Sequence, residues 1–455
     1  MNEAGEGSGS LPGRTIELQI VDFNVEGAGV GRWEGRVVFV PGVVIGERVR
    51  VRVVAERRRR LDAVPLEVIE PSARRRPASC AQQGRCGGCP LMVVDEETGL
   101  DWKVQHLARQ LRRLAGVDLP IDPVVASPSP LEYRSRVRLA LARRGGRWRA
   151  GYRPRGRGAA VVAVDRCHLL APGGWEVVES LLARMDERHP ASGEGPTHLE
   201  LRGSLAAGRW LAVWHSTPAA APQLRRASRR ALAAGEPLAG AAQVDGAGRG
   251  KGRVVWQEGR CELTERIGGV EFPLGIQGFV QVNPAAAGKL YRLAGRALRD
   301  EAGEAPRSLL DLYCGAGLIA LHGAGPASRV VGVELDPAGA RAARRAARDQ
   351  GFADADFLTG DAEAAAAGLA DAGKRFEALA VNPPRAGIGK SIPALARRLG
   401  VRRVVMVSCH PATAARDLAR FADFGYRAVA VAAVDMFPQT PHLEVVVTLE
   451  SEPRG

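Results

Sequence analysis

The chain has 455 residues, of which 45% are hydrophobic, so it is long enough for two or three domains with ample apolar material for their cores. Its formal net charge of +14 favours polyanionic partners such as nucleic acid. Neither the ~18 apolar residues of a membrane span nor the pattern of an export signal is visible, so we expect a cytoplasmic protein that makes no contact with a membrane.

The first 70 residues combine a tail with a run of short strands. Residues 1–13 are small and partly acidic, and we expect a flexible tail there. Residues 14–70 contain short runs in which apolar and polar residues alternate, such as TIELQI and GERVRVRVV, separated by glycine turns. About five short strands in so short a segment predict a small β-barrel of the OB type.

Residues 71–280 are predicted to form a central, strand-rich domain. It begins with a basic linker at residues 71–77 and continues through a cysteine-bearing loop and an amphipathic helix at residues 100–115, which we expect to pack on the C-terminal domain. Between residues 131 and 160 the chain has ten arginines and one acid, Glu132. Such a patch can contact phosphates bidentately, which predicts RNA binding, with a solvated basic face as the alternative.

Four of the seven cysteines form a pattern. Cys80, Cys86 and Cys89 follow the spacing C-x5-C-x2-C on a glycine-rich loop, and Cys167 follows at a distance. Four thiols placed in this way can form a four-sulfur site. The spacing is neither the paired C-x2-C of a zinc ribbon nor the C-x3-C-x2-C of radical enzymes. An odd number of cysteines without an export signal also makes a disulfide framework unexpected.

Residues 281–455 alternate helices with short apolar strands, namely SLLDLY, RVVGVEL, EALAVNPP and VVMVS. This alternation predicts an α/β domain of the Rossmann-like kind, with a mostly parallel, doubly wound sheet. The first strand leads into a glycine turn at Gly315 and Gly317, and the second ends in Glu334, where a carboxylate typically binds ribose hydroxyls. The third glycine of the dinucleotide fingerprint is absent, so the turn favours S-adenosylmethionine over a dinucleotide.

A thiol and a carboxylate lie near the end of the chain. Cys409 follows a buried-strand pattern at residues 404–407, at a turn marked by Pro411, and Glu444 directly precedes another apolar run. A thiolate can add to a substrate, and a carboxylate can then remove a proton. Taken alone, a cysteine of this kind is more often a small core residue, and such a glutamate is more often a surface carboxylate.

Five segments resemble, in the right order, the RNA 5-methyluridine methyltransferases that use no folate: GFVQVNP, LLDLYCGAG, NPPRAGI, SCHPATAARDL and DMFPQTPHLE. The segment EGAGVGRWEGRVVFVPGVVIGERV resembles the TRAM domain, which implies that the N-terminal barrel binds RNA. The resemblance covers almost the whole chain. It is closest to the bacterial branch that methylates 23S ribosomal RNA.

This resemblance implies a mechanism and a set of site residues. It implies that Cys409 adds to carbon 6 of uracil, that carbon 5 takes the methyl group, and that Glu444 removes the carbon-5 proton. It also implies that the thiolates of Cys80, Cys86, Cys89 and Cys167 hold a 4Fe–4S cluster, which we expect to support folding of the RNA-binding region. The implied contacts of S-adenosylmethionine are Gln281, Tyr313, Gly315, Glu334, Asp361 and Asn382.

Three positions depart from the family pattern. Asn382 stands where aspartate usually precedes Pro-Pro-Arg, Leu318 where an amide or hydroxyl is common, and His410 where asparagine is common. Asn-Pro-Pro is typical of enzymes that methylate exocyclic amines, so that activity is one alternative; the others are a transfer-RNA uridine methyltransferase and a non-catalytic RNA-binding protein. We expect a monomer, and Asp435 and His442 are the next candidates for the base.

Overall fold

The computed structural model describes residues 11–154, 160–185, 195–235, 237–246 and 252–452. Most of the predicted tail, and Arg155 and Arg157 of the arginine-rich segment, lie outside these ranges. The chain divides into two compact units: the first comprises residues 1–102, 153–162 and 439–441, and the second comprises the remainder. Within the described ranges, no helix has the length and apolar character needed to cross a membrane.

The first unit contains a six-stranded sheet in the order β1-β5-β6-β4-β3-β2. Its strands are β1 (Thr15–Gln19), β2 (Asp22–Phe23), β3 (Gly29–Trp33), β4 (Arg36–Val40), β5 (Arg48–Arg57) and β6 (Arg60–Glu70). In β5 every second residue from Val49 to Val53 is buried, as expected for a strand with one face in a core. A Cβ on Gly31 would lie 2.0 Å from Leu18 Cδ1, so β3 approaches β1 closely and the sheet curves into the predicted OB-like barrel.

The segment expected to be a basic linker is anchored in this unit. The carboxylate of Glu47 is fully buried and accepts a hydrogen bond of 2.9 Å from Nη2 of Arg75. Further along, Trp102 Nε1 donates to Asp22 Oδ1 at 2.8 Å, and its ring meets that of Phe23 edge to face. Residues 71–102 therefore pack against the barrel of their own unit. The helix that ends this segment, α1, spans Glu96–Ala115.

The second unit contains a central sheet in the order β10-β9-β8-β11-β12-β13-β14. Helices α2 (Gly174–Met185) and α3 (Ala221–Ala233) pack on it, and their apolar faces share a core with Leu201, Trp210 and Trp214. The strands are β8 (Arg136–Arg144), β9 (Arg147–Tyr152), β10 (Val162–Ala163), β11 (His198–Ser204), β12 (Arg209–His215), β13 (Leu238–Asp245) and β14 (Arg253–Gly259). A hairpin follows, formed by β15 (Glu262–Ile267) and β16 (Val270–Gly275).

The same unit contains an eight-stranded sheet in the order β19-β18-β17-β20-β21-β23-β22-β7. Five neighbouring strands, β17 to β21, are parallel, and β23 is antiparallel to both of its neighbours, which confirms the predicted fold class. The strands are β7 (Ile121–Val125), β17 (Ser308–Leu312), β18 (Arg329–Glu334), β19 (Ala355–Thr359), β20 (Ala378–Val381), β21 (Arg403–Ser408), β22 (Tyr426–Val434) and β23 (Glu444–Ser451).

Six helices accompany this sheet, and their sequences explain where several of them start. They are α4 (Pro284–Ala297), α5 (Leu318–Gly323), α6 (Pro337–Asp349), α7 (Ala362–Asp371), α8 (Ile392–Arg398) and α9 (Pro411–Ala422). Asn283, Asp336 and Asp361 cap α4, α6 and α7 by accepting hydrogen bonds from backbone N–H groups of the first turn. Helices α5 to α9 follow the carboxyl ends of β17 to β21, so the chain turns repeatedly at that edge of the sheet, where α/β proteins place their ligands.

Candidate active site

The two residues proposed for covalent chemistry lie on adjacent strands. Strands β21 and β23 pair antiparallel, with Ser408 opposite Val445. Cys409 follows Ser408 and Glu444 precedes Val445, so the register brings these two residues opposite each other at the strand ends. The side chain of Glu444 is buried and that of Cys409 is half-buried. The fold therefore brings together a thiol and a carboxyl that are 35 residues apart in the sequence.

The environment of Glu444 suits a proton acceptor. Burial raises the pKa of this carboxyl to about 7, and the positive charge of Arg385 opposes the rise. Its Oε2 atom is buried and has no hydrogen-bond partner among the described residues. A carboxyl whose pKa lies near neutrality exchanges protons readily at physiological pH, as a general base must.

Opposing charges act on the thiol of Cys409. Burial raises its pKa and the charge of Glu444 raises it further, whereas Arg385, within hydrogen-bonding reach of the thiol, lowers it. Arg385 belongs to the segment NPPRAGI, and no pattern in the sequence singles it out. It lies between the thiol and His442, since its Nη2 is 3.4 Å from His442 Nε2. The guanidinium is therefore placed to stabilise a thiolate.

The two other candidates for the base are already engaged. Burial lowers the pKa of His442 to about 4, with Arg385 as the next cause, so the imidazole is neutral at neutral pH. Asp435 Oδ1 accepts a hydrogen bond of 2.7 Å from Lys103 Nζ, and both side chains are largely buried. A carboxylate held by a buried ammonium is a poorer proton acceptor than Glu444.

The glycine turn after β17 forms a tight loop beside the end of β18. Tyr313, Gly315 and Gly317 all have positive φ angles, of 62°, 57° and 76°. Gly317 is required here, since a Cβ would lie 2.9 Å from the ring of Phe357. Glu334 accepts hydrogen bonds from Gly315 N at 2.9 Å and from Asp336 N at 2.8 Å. The turn and the predicted ribose-binding carboxylate are thus in direct contact.

The remaining predicted cofactor residues are distributed around this loop. Tyr313 accepts a hydrogen bond of 3.2 Å from Gly389 N, and its pKa is raised by burial and by nearby acids including Asp361. Asn382 follows β20, and its backbone N donates to Leu312 O at 3.4 Å. Gln281 is buried just before α4. Glu334 is the last residue of β18, and Tyr313, Gly315, Asp361 and Asn382 follow the carboxyl ends of β17, β19 and β20.

A residue that the sequence analysis missed lies beneath the turn. Asp311 is fully buried at the end of β17, and its Oδ2 accepts a hydrogen bond of 3.2 Å from Ala320 N. Its Oδ1 has no partner among the described residues. Burial raises the pKa of this carboxyl to about 8, and the charge of Glu334 adds to the rise. Asp311 ties the turn to the first residues of α5.

The four cysteines of the predicted cluster are distributed over both units. Cys80, Cys86 and Cys89 are half-buried in the first unit, and Cys167 belongs to the second, where its Sγ accepts a hydrogen bond of 3.3 Å from Tyr152 OH. No disulfide involves them. The thiols are suitable donors for iron, but nowhere in the described ranges do three or more His, Cys, Asp or Glu side chains form a metal-binding group. The 4Fe–4S cluster therefore remains a prediction.

Comparison with known proteins identifies matches to both ends of the chain. The family model for tRNA (uracil-5-)-methyltransferase matches residues 268–452, and that for the TRAM domain matches residues 9–66. An uncharacterized RNA methyltransferase of Geobacter sulfurreducens is 32% identical over 462 aligned positions, which cover 97% of this chain and 91% of the relative. Another, of Thermosynechococcus vestitus, is 32% identical over 96% of this chain and 98% of its own.

A solved structure has a similar fold. The Pyrococcus abyssi tRNA (uracil-54, C5)-methyltransferase, in complex with S-adenosyl-L-homocysteine, superposes with a TM-score of 0.74 over 95% of this chain and 99% of its own. Its sequence identity is 23%, so the similarity establishes the shared fold.

Proposed function

The chain belongs to the RNA uracil-5-methyltransferase family and is an S-adenosylmethionine-dependent RNA methyltransferase, and we propose that it forms 5-methyluridine in 23S ribosomal RNA. The observation that most strongly supports a carbon-5 reaction is the position of Cys409 opposite Glu444. Methylation of an exocyclic amine needs neither group.

The proposed reaction begins at Cys409. Its thiolate forms a bond to carbon 6 of uracil, and the electron pair of the ring double bond becomes available at carbon 5. Arg385 stabilises the thiolate before the attack. When bound, S-adenosylmethionine would supply an electrophilic methyl group to carbon 5, and its sulfur would keep the electron pair of the broken S–CH3 bond, which leaves S-adenosylhomocysteine. Glu444 then removes the proton from carbon 5, the double bond re-forms, and the bond between carbon 6 and sulfur breaks to release the thiolate.

The proposed cofactor site comprises the turn after β17 and the strand ends around it. Glu334, the last residue of β18, is proposed as the ribose ligand, and its bonds to Gly315 N and Asp336 N orient its carboxylate. Asp361 is proposed to lie near the adenine. Asn382 is proposed to contact either the cofactor or the edge of the uracil. Gln281 and Tyr313 complete the set. The positive φ of Tyr313 is consistent with a backbone shaped for ligand contact.

The RNA substrate separates two versions of the proposal. The combination of a TRAM domain with the four cysteines favours 23S ribosomal RNA, whereas the Pyrococcus neighbour and the name of the matched family favour transfer RNA. Nucleoside mass spectrometry of separated 23S and transfer RNA, from cells with and without the gene, distinguishes them. We expect 5-methyluridine to disappear from one position of 23S RNA. Loss from transfer RNA alone contradicts this assignment, and loss of N6-methyladenosine contradicts carbon-5 chemistry.

We also propose that the thiolates of Cys80, Cys86, Cys89 and Cys167 hold a 4Fe–4S cluster with a structural role. The support is the spacing of the cysteines and their resemblance to the family pattern. Protein purified without oxygen should be brown and contain about four irons per chain, and replacement of Cys167 by Ser should lower the iron content. A colourless protein with stoichiometric zinc contradicts the proposal.

The domain boundaries, the oligomeric state and the cellular location are proposed from the sequence patterns and the family resemblance. We propose a tail at 1–13, an RNA-binding TRAM barrel at 14–70, a central RNA-binding domain at 71–280 and a methyltransferase domain at 281–455. A monomer in the cytoplasm remains the expectation. Size-exclusion chromatography with light scattering tests the oligomeric state, and a dimer would contradict it.

A further inference from the structure

A basic groove lies in the second unit, between α6 and the strands β14 to β16. Its volume is ≈ 800 Å³. One wall is the exposed face of α6, and the other is the end of β14, the hairpin and the segment 275–280 that follows it. No residue of the groove belongs to the cysteine pattern or to the proposed catalytic pair, so it is a separate feature of the molecule.

Arginine side chains dominate the charge of this groove. Arg341, Arg344, Arg345 and Arg348 all line it, because residues three, four and seven positions apart share one face of a helix. The alanines between them are buried, and the four arginines are exposed, with Arg344 Nε donating to Phe357 O at 2.8 Å. Arg260 adds a fifth guanidinium from the opposite wall, and Glu262, 3.2 Å from Arg345, is the one acid of the described lining. With five arginines and one glutamate, the described lining has a net formal charge of +4.

The wall that faces the arginines is held by a buried arginine, Arg202. Its guanidinium donates to the carbonyl oxygens of Gly275, Gln277 and Gly278, at 2.8, 3.2 and 2.7 Å. Only 2% of the Arg202 residue surface is exposed. Three charge-assisted hydrogen bonds to one short segment fix the course of its backbone. The groove therefore has a fixed shape on this side.

The groove borders the cofactor turn. Ala316 of that turn and Gly339 of α6 are part of its lining. A Cβ on Gly339 would lie 2.9 Å from Glu334 Cγ and 3.2 Å from Gly315 O, so this end of the groove lies directly behind the proposed ribose ligand. A polyanion bound along α6 would therefore lie next to the cofactor turn.

We propose that this groove binds the phosphate backbone of the RNA segment that flanks the methylated uridine, an inference that rests on the proposed RNA substrate. Guanidinium groups bind phosphate oxygens bidentately and are less strongly hydrated than ammonium groups, which suits them to this contact. An acidic protein segment could also meet a basic groove. RNA is favoured because the groove borders the cofactor turn of an RNA methyltransferase, where substrate must be held.

The test compares two double variants with the same change of charge. In Arg341→Ala/Arg348→Ala two arginines of the groove are removed. In the control, Arg398→Ala/Arg402→Ala, two exposed arginines are removed at the amino end of β21, the opposite edge of the sheet from the turn. Fluorescence anisotropy with a labelled uridine-containing RNA of 20 nucleotides or so gives the dissociation constant at several salt concentrations, independently of methyl transfer.

We expect the groove variant to bind this RNA about 25-fold more weakly at 0.1 M salt, and its slope of log K against log salt to fall by about 1.4, since each lost contact to a single strand removes about 0.7. Binding of S-adenosylmethionine and the melting temperature should match the wild type. Equal losses in both double variants, or an unchanged salt slope, would overturn the proposal. So would groove-dependent binding of polyglutamate without groove-dependent binding of RNA.

The groove assignment and the proposed reaction can fail independently of each other. If the protein forms no 5-methyluridine but the groove variant loses RNA affinity, the proposed reaction fails and the groove assignment stands. If the groove variant methylates and binds RNA as the wild type does, the reaction stands and the groove assignment fails.

Discussion

Lys103 and Asp435 form a buried ion pair that holds the segment leading to the catalytic strand. Lys103 Nζ donates to Asp435 Oδ1 at 2.7 Å and to the carbonyl oxygen of Phe437 at 3.2 Å. The segment from Asp435 leads through His442 to Glu444. A single lysine of α1 thus fixes the start of the connection that places the proposed base, although it is more than 300 residues away in the sequence.

Replacement of Lys103 by Met should destabilise the protein strongly, by about 3–5 kcal/mol, because it leaves a buried carboxylate without its counter-charge. Urea unfolding followed by fluorescence measures the change. The matched double variant Lys103→Met/Asp435→Leu removes both charges and should recover most of the lost stability. A double variant as unstable as the single one would show that the pair is not the cause.

Replacement of Cys409 by Ala should abolish methylation while S-adenosylmethionine still binds, because the thiol acts on the base and not on the cofactor. With 5-fluorouridine in the RNA, the wild type should form a covalent adduct that survives denaturing electrophoresis, since fluorine cannot be removed as a proton is. Cys261→Ala is the control, because this half-buried thiol lies in the lining of the arginine groove and outside the catalytic pair, and it should form the adduct. Methyl transfer by Cys409→Ala at the wild-type rate excludes the proposed nucleophile.

Replacement of Glu444 by Gln should allow addition and methyl transfer but stall removal of the carbon-5 proton. An adduct should then accumulate on ordinary RNA, and turnover should fall by a factor of about 10²–10⁴. In the wild type the carboxyl must be ionised to act, so activity should rise as pH increases through about 7. The inflection near pH 7 should be absent from the residual activity of Glu444→Gln, in which any remaining rise with pH reflects ionisation of Cys409. Wild-type turnover in this variant would place the base elsewhere.

The charges around Cys409 predict how its pKa responds to substitution. Glu444→Gln should lower the pKa of the thiol, since the carboxylate raises it, and Arg385→Met should raise it, since the guanidinium lowers it. The pH dependence of alkylation by iodoacetamide, followed for the Cys409 peptide by mass spectrometry, measures both shifts. Glu450→Gln, at the far end of β23, should leave the pKa unchanged. Shifts in the same direction for both variants would contradict the proposed arrangement of charges.

The fold class was predictable because its signals are local. Short apolar strands separated by helices indicate a parallel sheet, and the strand expected at residues 404–407 is found at Arg403–Ser408. The alternation in β5 likewise predicts a strand with one buried face. The packing of residues 71–77 against the barrel was not predictable from the sequence. The partner of Arg75 is Glu47, a buried acid 28 residues earlier, and no local pattern reveals such a pair.

The candidate site was predictable in its residue types and not in its geometry. Cys409 and Glu444 stand out in the sequence, but their juxtaposition depends on the register of β21 and β23, which is a long-range property. Arg385 acts through its distance to the thiol, and Asp311 is exceptional only because it is buried. Burial of this carboxylate has no sequence signature, since nothing in the pattern DL at a strand end distinguishes a buried aspartate from an exposed one.

Asp311 should make the stability of the second unit depend on pH. Its pKa is raised to about 8 in the folded protein, from an ordinary value of 3.8, because burial favours the neutral form. Its contribution to stability is therefore fully present below pH 3.8 and is lost as pH rises through about 8, at up to about 1.4 kcal/mol per pH unit for one proton.

Asp311→Asn keeps an acceptor for Ala320 N and removes the titration. Urea midpoints measured from pH 6 to 9 should therefore fall less steeply for Asp311→Asn than for the wild type, whereas the exposed control Asp371→Asn should follow the wild type. Identical slopes for the wild type and Asp311→Asn would show that this carboxyl is already ionised in the folded protein.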